Sequence, residues 1–156
     1  MRVRASAGAS SFRRQGRLEK FLVEAREQVT RLKKEREAPD PAVSRKQEAA
    51  RVRAARERLE RIEKALEEMP AVTAVKERQK KRAAKKNRDK IGEPRVSTTD
   101  PEARVMKMAD AGFRPAYNLQ IAADVDNQVI VGVDATMEGN DGGQAAPMVE
   151  HIEKRT

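Results

Sequence analysis

Two heptad-spaced apolar seams, set on either side of a proline-containing break, constrain this chain more than any other feature. Leu18, Leu22, Ala25, Val29 and Leu32 step by 4, 3, 4 and 3, the spacing that lines one side of a helix over Gly16 to Glu37. Val52, Ala55, Leu59, Ile62, Leu66 and Met69 step by 3, 4, 3, 4 and 3 along a second helix. Its candidate N-cap is Ser44, and its expected end lies before Pro70. Between the two, Ala38-Pro39-Asp40-Pro41 stops the pattern, because proline removes a backbone donor and biases its predecessor away from helix. An amphipathic helix gains most of its stability from packing, so each seam needs a partner. Pairing within the chain makes an antiparallel helical hairpin; pairing between chains makes a homo-oligomer through the same surfaces. The spacing leaves both open.

Charge is divided along the chain. Residues 91–156 carry 6 Lys/Arg and 11 Asp/Glu, a net of −5, whereas residues 1–90 hold the other 28 and 14, a net of +14 within a total of +9. A basic half joined to an acidic half suggests a polyanion-binding element on a separate scaffold, with nucleic acid as its partner. The densest stretch is KERQKKRAAKKNRDK at 76–90. Its cations Lys76, Arg78, Lys80, Lys81, Arg82, Lys85, Lys86 and Arg88, followed by Lys90, face only Glu77 and Asp89. Such a run neutralises phosphates and releases counterions, giving sequence-independent, salt-sensitive affinity for DNA. It has no interleaved aromatics to stack on bases and no helix-turn-helix pattern, so it carries no signal of sequence specificity. The competing reading is a solvated charge run. Gly92-Glu93-Pro94 closes the segment.

Composition bounds the rest. Aromatics are 3% of the chain and charged residues 38%, so any core is thin and aliphatic. There is no cysteine, which excludes disulfides and thiolate metal sites. No apolar run approaches the roughly 20 residues of a membrane span. The N-terminus, MRVRASAGASSFRR, lacks the apolar region of a secretory signal. A cytoplasmic protein is expected.

After Ser97-Thr98-Thr99-Asp100-Pro101, a turn, and a short segment from Glu102 to Ala109, the pattern changes to strands. Tyr117, Leu119, Ile121 and Ala123 alternate with Asn118, Gln120, Ala122 and Asp124. Asp126-Asn127 supplies a turn. Val129-Ile130-Val131-Gly132-Val133 then reads as a second, more buried strand, and the two form a hairpin. Residues 134–143 are a loop by composition. Asp141 is the expected N-cap of a helix over Gln144 to Lys154 with Ala145, Met148, Val149 and Ile152 on its apolar side. One hairpin and one helix cannot cover both faces of a sheet. His151, solitary, reads as solvated. Asp124, Asp126, Asp134, Glu138 and Asp141 could offer oxygen ligands to a divalent cation, but turn and capping roles account for most of them.

Several short motifs fall in a telling order: Thr99-Asp100-Pro101-Glu102-Ala103-Arg104, Ala116-Tyr117-Asn118-Leu119-Gln120, Gly139-Asn140-Asp141 and Gln144-Ala145-Ala146-Pro147-Met148. This series resembles the catalytic domain of bacterial insertion-sequence transposases of the DDE type. The likeness covers residues 97–150 and extends to residues 1–15, where Arg2-Val3-Arg4-Ala5-Ser6-Ala7 is similar to the back of the family's first strand. Ala116 stands where the family usually has Gly, and Ala145 where it has Leu.

The resemblance implies an α/β fold: an incomplete RNase H-like domain, hairpin plus helix, with an inserted basic antiparallel helical hairpin. Residues 1–15 would be the remnant of the first strand, 16–92 the basic insertion, and 93–156 the partial catalytic domain with strands two and three and the following helix. It also implies a parent activity of magnesium-dependent DNA cleavage and strand transfer. On this alignment none of the three catalytic carboxylates matches a position between Met1 and Thr156, so a catalytically inactive piece with residual DNA binding is expected. The rival expectation is an autonomous helical-hairpin protein that binds nucleic acid or another coiled coil.

Overall fold

The seams fold into helices, but the second helix outruns its seam. The computed structural model describes residues 1–37 and 44–154. The Ala38-Pro39-Asp40-Pro41 stop lies outside them. In chain order the elements are β1 (Arg2–Arg4), a 3-10 turn at Ala9–Ser11, β2 (Phe12–Arg13), α1 (Gln15–Glu37), α2 (Arg45–Arg82), α3 (Lys85–Arg88), β3 (Val96–Ser97), β4 (Arg104–Lys107), β5 (Phe113–Asp124), β6 (Val129–Thr136) and α4 (Ala145–Glu153). The fold is mixed α/β with antiparallel pairing throughout. It divides into two compact units, Met1–Ser10 with Glu102–Thr156, and Ser11–Pro101.

In the helical unit, Ser44 caps α2 through its hydroxyl, which accepts from the Lys46 N–H at 3.3 Å. The expected end before Pro70 is wrong: α2 continues to Arg82 with Pro70 inside it. Proline costs a helix its bond to the carbonyl four residues back, here that of Leu66. Tertiary packing offsets that loss, since Ala65, Met69 and Val72, on both sides of Pro70, are buried together with Leu18 and Val96. This cluster joins α1, α2 and β3, and β2 pairs with β3 beside it. The helices run antiparallel: Arg26 pairs with Glu63 at 3.1 Å and Arg58 donates to Gln28 at 3.1 Å. That register sets the start of α1 level with about Thr73, so the last turns of α2 project beyond it.

In the sheet unit, β5 is the spine. Ala116 pairs with both Arg4 and Arg104, so β1 and β4 flank opposite edges; Asn118 pairs with both Arg2 and Thr136, so β1 and β6 do as well. Strands β4 and β6 therefore follow one another along one edge, with β1 on the other. The hairpin turn is organised by Asp124, whose carboxylate accepts from the Asp126 N–H at 2.9 Å and the Asn127 side chain at 2.7 Å. The left-handed residue of the turn is Gln128, at φ 56, rather than either member of Asp126-Asn127. A bulge follows at the Ala122/Ala123 register shift.

Strand β6 is longer than expected, reaching Thr136, and it is not the more buried one. Val129, Ile130 and Val133 are 51%, 65% and 45% exposed. The face of β6 that carries Gly132 is covered by α4. On that face α4 lies so close that a Cβ on Gly132 would stand 2.8 Å from Met148 Sδ and 3.1 Å from Ile152 Cγ1. Any side chain there would have to displace Met148 and Ile152. Replacing Gly132→Val is expected to lift α4 from β6 and cost about 1–3 kcal/mol, read as a lower urea midpoint. An unchanged midpoint would show that α4 can shift without loss. On the opposite face Ile121 and Val133 are paired and exposed, as are Val3, opposite Tyr117, and Val105, opposite the buried Pro115.

Candidate nucleic-acid interface

The eight cations predicted to meet DNA fall on the end of the long helix α2 and on the short α3. Lys76, Arg78, Lys80, Lys81 and Arg82 end α2, and Lys85, Lys86 and Arg88 sit on or beside α3 after a break at Ala83 and Ala84. All are exposed except Lys76, which is half-buried. No ion pair among the described residues engages any of them. Lys76 and Lys80 share one side of the helix, Arg78 and Arg82 the other, with Lys81 between, because residues four apart stack on one face. The run thus rings the helix rather than striping it. Three of the cations, Lys80, Lys81 and Arg82, lie in the last turn of α2, where they complement the negative end of the helix dipole. Arg88 donates to the Ala83 carbonyl at 3.3 Å and closes the break.

The carboxylates considered as metal ligands are used locally instead. Asp124 caps the hairpin turn. Asp134 accepts from the following Ala135 N–H at 2.8 Å. Asp141 does not cap α4; the residue at the cap position is Gln144, with no side-chain capping bond. Its carboxylate is held by Asn118 Nδ2 at 2.8 Å and Gln120 Nε2 at 2.9 Å. These amides outcompete the helix terminus because Asn118 is 1% exposed and would otherwise be buried with unpaired donors. Asn118 also donates to the Glu138 carbonyl at 3.3 Å, and Arg2 to that of Gly139 at 2.8 Å. Two motifs quoted for the resemblance, 20 or more positions apart, are thereby clasped. Sequence reasoning named these residues but missed their contact; their shared parity along β5 was the available signal.

The magnesium ions implied by the resemblance need clustered carboxylates. Among the described residues no three His, Cys, Asp or Glu side chains come together to hold an ion, so the residues present do not fit that requirement. His151 also departs from expectation: it is half-buried, and its Nε2 is buried without a hydrogen-bond partner among the described residues. It lies three residues after Met148 on the side of α4 that meets β6.

The amides of Asn118 and then Gln120 hold the Asp141 carboxyl below its ordinary 3.8. A depressed carboxyl stabilises the fold above its unfolded pKa and loses that contribution as pH falls through the lowered value. The expected result is that Asp141→Asn lowers the melting temperature at pH 7 but hardly at pH 2. An equal drop at both would exclude the ionised clasp. Asn118→Ala should cost about 1–2 kcal/mol.

Among the described residues no helix is long and apolar enough to cross a membrane. No protein-family model, curated protein or solved structure significantly matches the chain.

Proposed function

We propose that this chain is a non-catalytic, DNA-binding piece of a DDE-type transposase, with the helical unit as a basic insertion into a partial RNase H-like sheet. The observation that carries the binding is the run Lys76 to Arg88 at the end of α2 and on α3, exposed but for half-buried Lys76 and engaged in no ion pair among the described residues. Such a ring of cations recognises phosphates whatever their sequence. The lineage is supported by the pairing of β1 with β5 across the whole helical segment, and by the meeting of Asn118 and Gln120 with Asp141. No cleavage step is assigned to any residue here, because among the described residues no three His, Cys, Asp or Glu side chains come together to hold an ion.

Fluorescence anisotropy with unrelated random duplexes tests the reading. Similar affinities that fall steeply with salt are expected; selectivity for one sequence, or indifference to salt, would overturn it. Magnesium-dependent nicking by the purified chain would overturn the non-catalytic part. The rival reading, an autonomous helical-hairpin binding protein, is favoured by one observation: the helical unit has its own buried cluster around Leu18.

A further inference from the structure

We infer that the helical unit contains a phosphate-binding cleft distinct from the basic run, of about 240 Å³, lined by Phe21, Arg58, Arg61, Ile62, Thr98 and Thr99. No carboxylate lines it. Its size is below the roughly 300–1,000 Å³ of drug-sized sites and suits a phosphate with the edge of one attached group. The larger cleft along the hairpin is compensated internally, since Glu48, Glu57 and Glu60 line it beside arginines.

Much of the lining is held by contacts already made. Ile62 forms an apolar floor at 2% exposure, and Phe21 carries the Arg17 guanidinium 4.6 Å above its ring. Arg58 is held by Gln28 at 3.1 Å and by Glu24 at 3.8 Å. Arg61, one helical turn on, makes no ion pair among the described residues. Across the cleft, the Thr98 N–H and hydroxyl both donate to the Ser11 carbonyl, at 3.2 and 3.3 Å. The fully buried Ser97 hydroxyl accepts from the Thr99 and Asp100 N–H groups, each at 3.1 Å. These bonds fix the backbone at Thr99, which lines the cleft together with Arg58 and Arg61. Arginine's planar fork binds phosphate through paired hydrogen bonds, and Phe21 and Ile62 exclude water from one side of them.

The phosphate could come from a nucleic-acid backbone or be free, and the full-length chain separates the two by amide NMR. Inorganic phosphate and a random duplex are titrated separately into wild type, into R61Q, and into a variant with Lys80, Lys81 and Arg82 changed to Gln. A cleft site moves the Arg61 and Thr99 amides with phosphate in wild type and in the triple variant, and leaves Thr99 unmoved in R61Q. If the backbone is the source, the duplex moves the same signals and R61Q lowers the salt slope of duplex binding by about 0.9, which R61K restores. Phosphate shifts without duplex shifts assign the site to free phosphate and leave the basic run as the only DNA contact. Duplex binding without phosphate shifts at Arg61 and Thr99 overturns the cleft while the DNA-binding reading stands.

Discussion

Changing Lys80, Lys81, Arg82 and Lys85 together to glutamine is expected to reduce the affinity for random duplex by orders of magnitude at moderate salt. If all eight cations of the run meet phosphates, log affinity falls with log salt at a slope of about −7, which is about four decades between 50 and 200 mM. Halving the contacts halves the slope to about −3.6 and the loss to about two decades. Glutamine is nearly as good a helix former as lysine, so the end of α2 should survive, and circular dichroism would check it. The cations ring the helix, so no single pair should dominate. An unchanged slope in the quadruple variant would place the DNA contacts elsewhere and remove the run from the interface.

Leu18→Ala should be the most damaging single core change. Leu18 is fully buried against Ala65, Met69, Val72 and Val96, so it ties α1 to both α2 and β3. Removing three carbons from a cluster with no aromatic member leaves a cavity that small neighbours cannot fill, at about 2–5 kcal/mol. The urea midpoint of the helical unit should drop accordingly. A loss under about 1 kcal/mol would mean that the helices collapse onto the gap, contrary to a well-packed seam.

The helical half was largely legible, because a 4-3 repeat records which side of a helix is buried. Leu18, Ala25, Val52, Ala55, Ile62 and Met69 from the two seams are all buried. The seam did not reveal where α2 ends: local rules stop it at Pro70, whereas Ala65, Met69 and Val72 hold the helix on both sides. Strand alternation located β5 and β6, but a run of β-branched residues could not tell a buried strand from one with a bare face. Asp141 illustrates a deeper gap. Its position suits a cap, and only the fold brings Asn118 and Gln120 to its carboxylate. The phosphate cleft was also invisible in sequence, since Phe21, Arg61 and Thr99 come from three separate segments.

Pro70 has a mechanical consequence. α2 spans about 57 Å at 1.5 Å per residue, and its one missing rung, to the Leu66 carbonyl, lies inside the stretch packed against α1 and β3. Helices bend most readily at such a point. Here Leu18 and Val96 clamp that point from both sides, so the turns beyond Thr73 extend from a braced root rather than from a free joint.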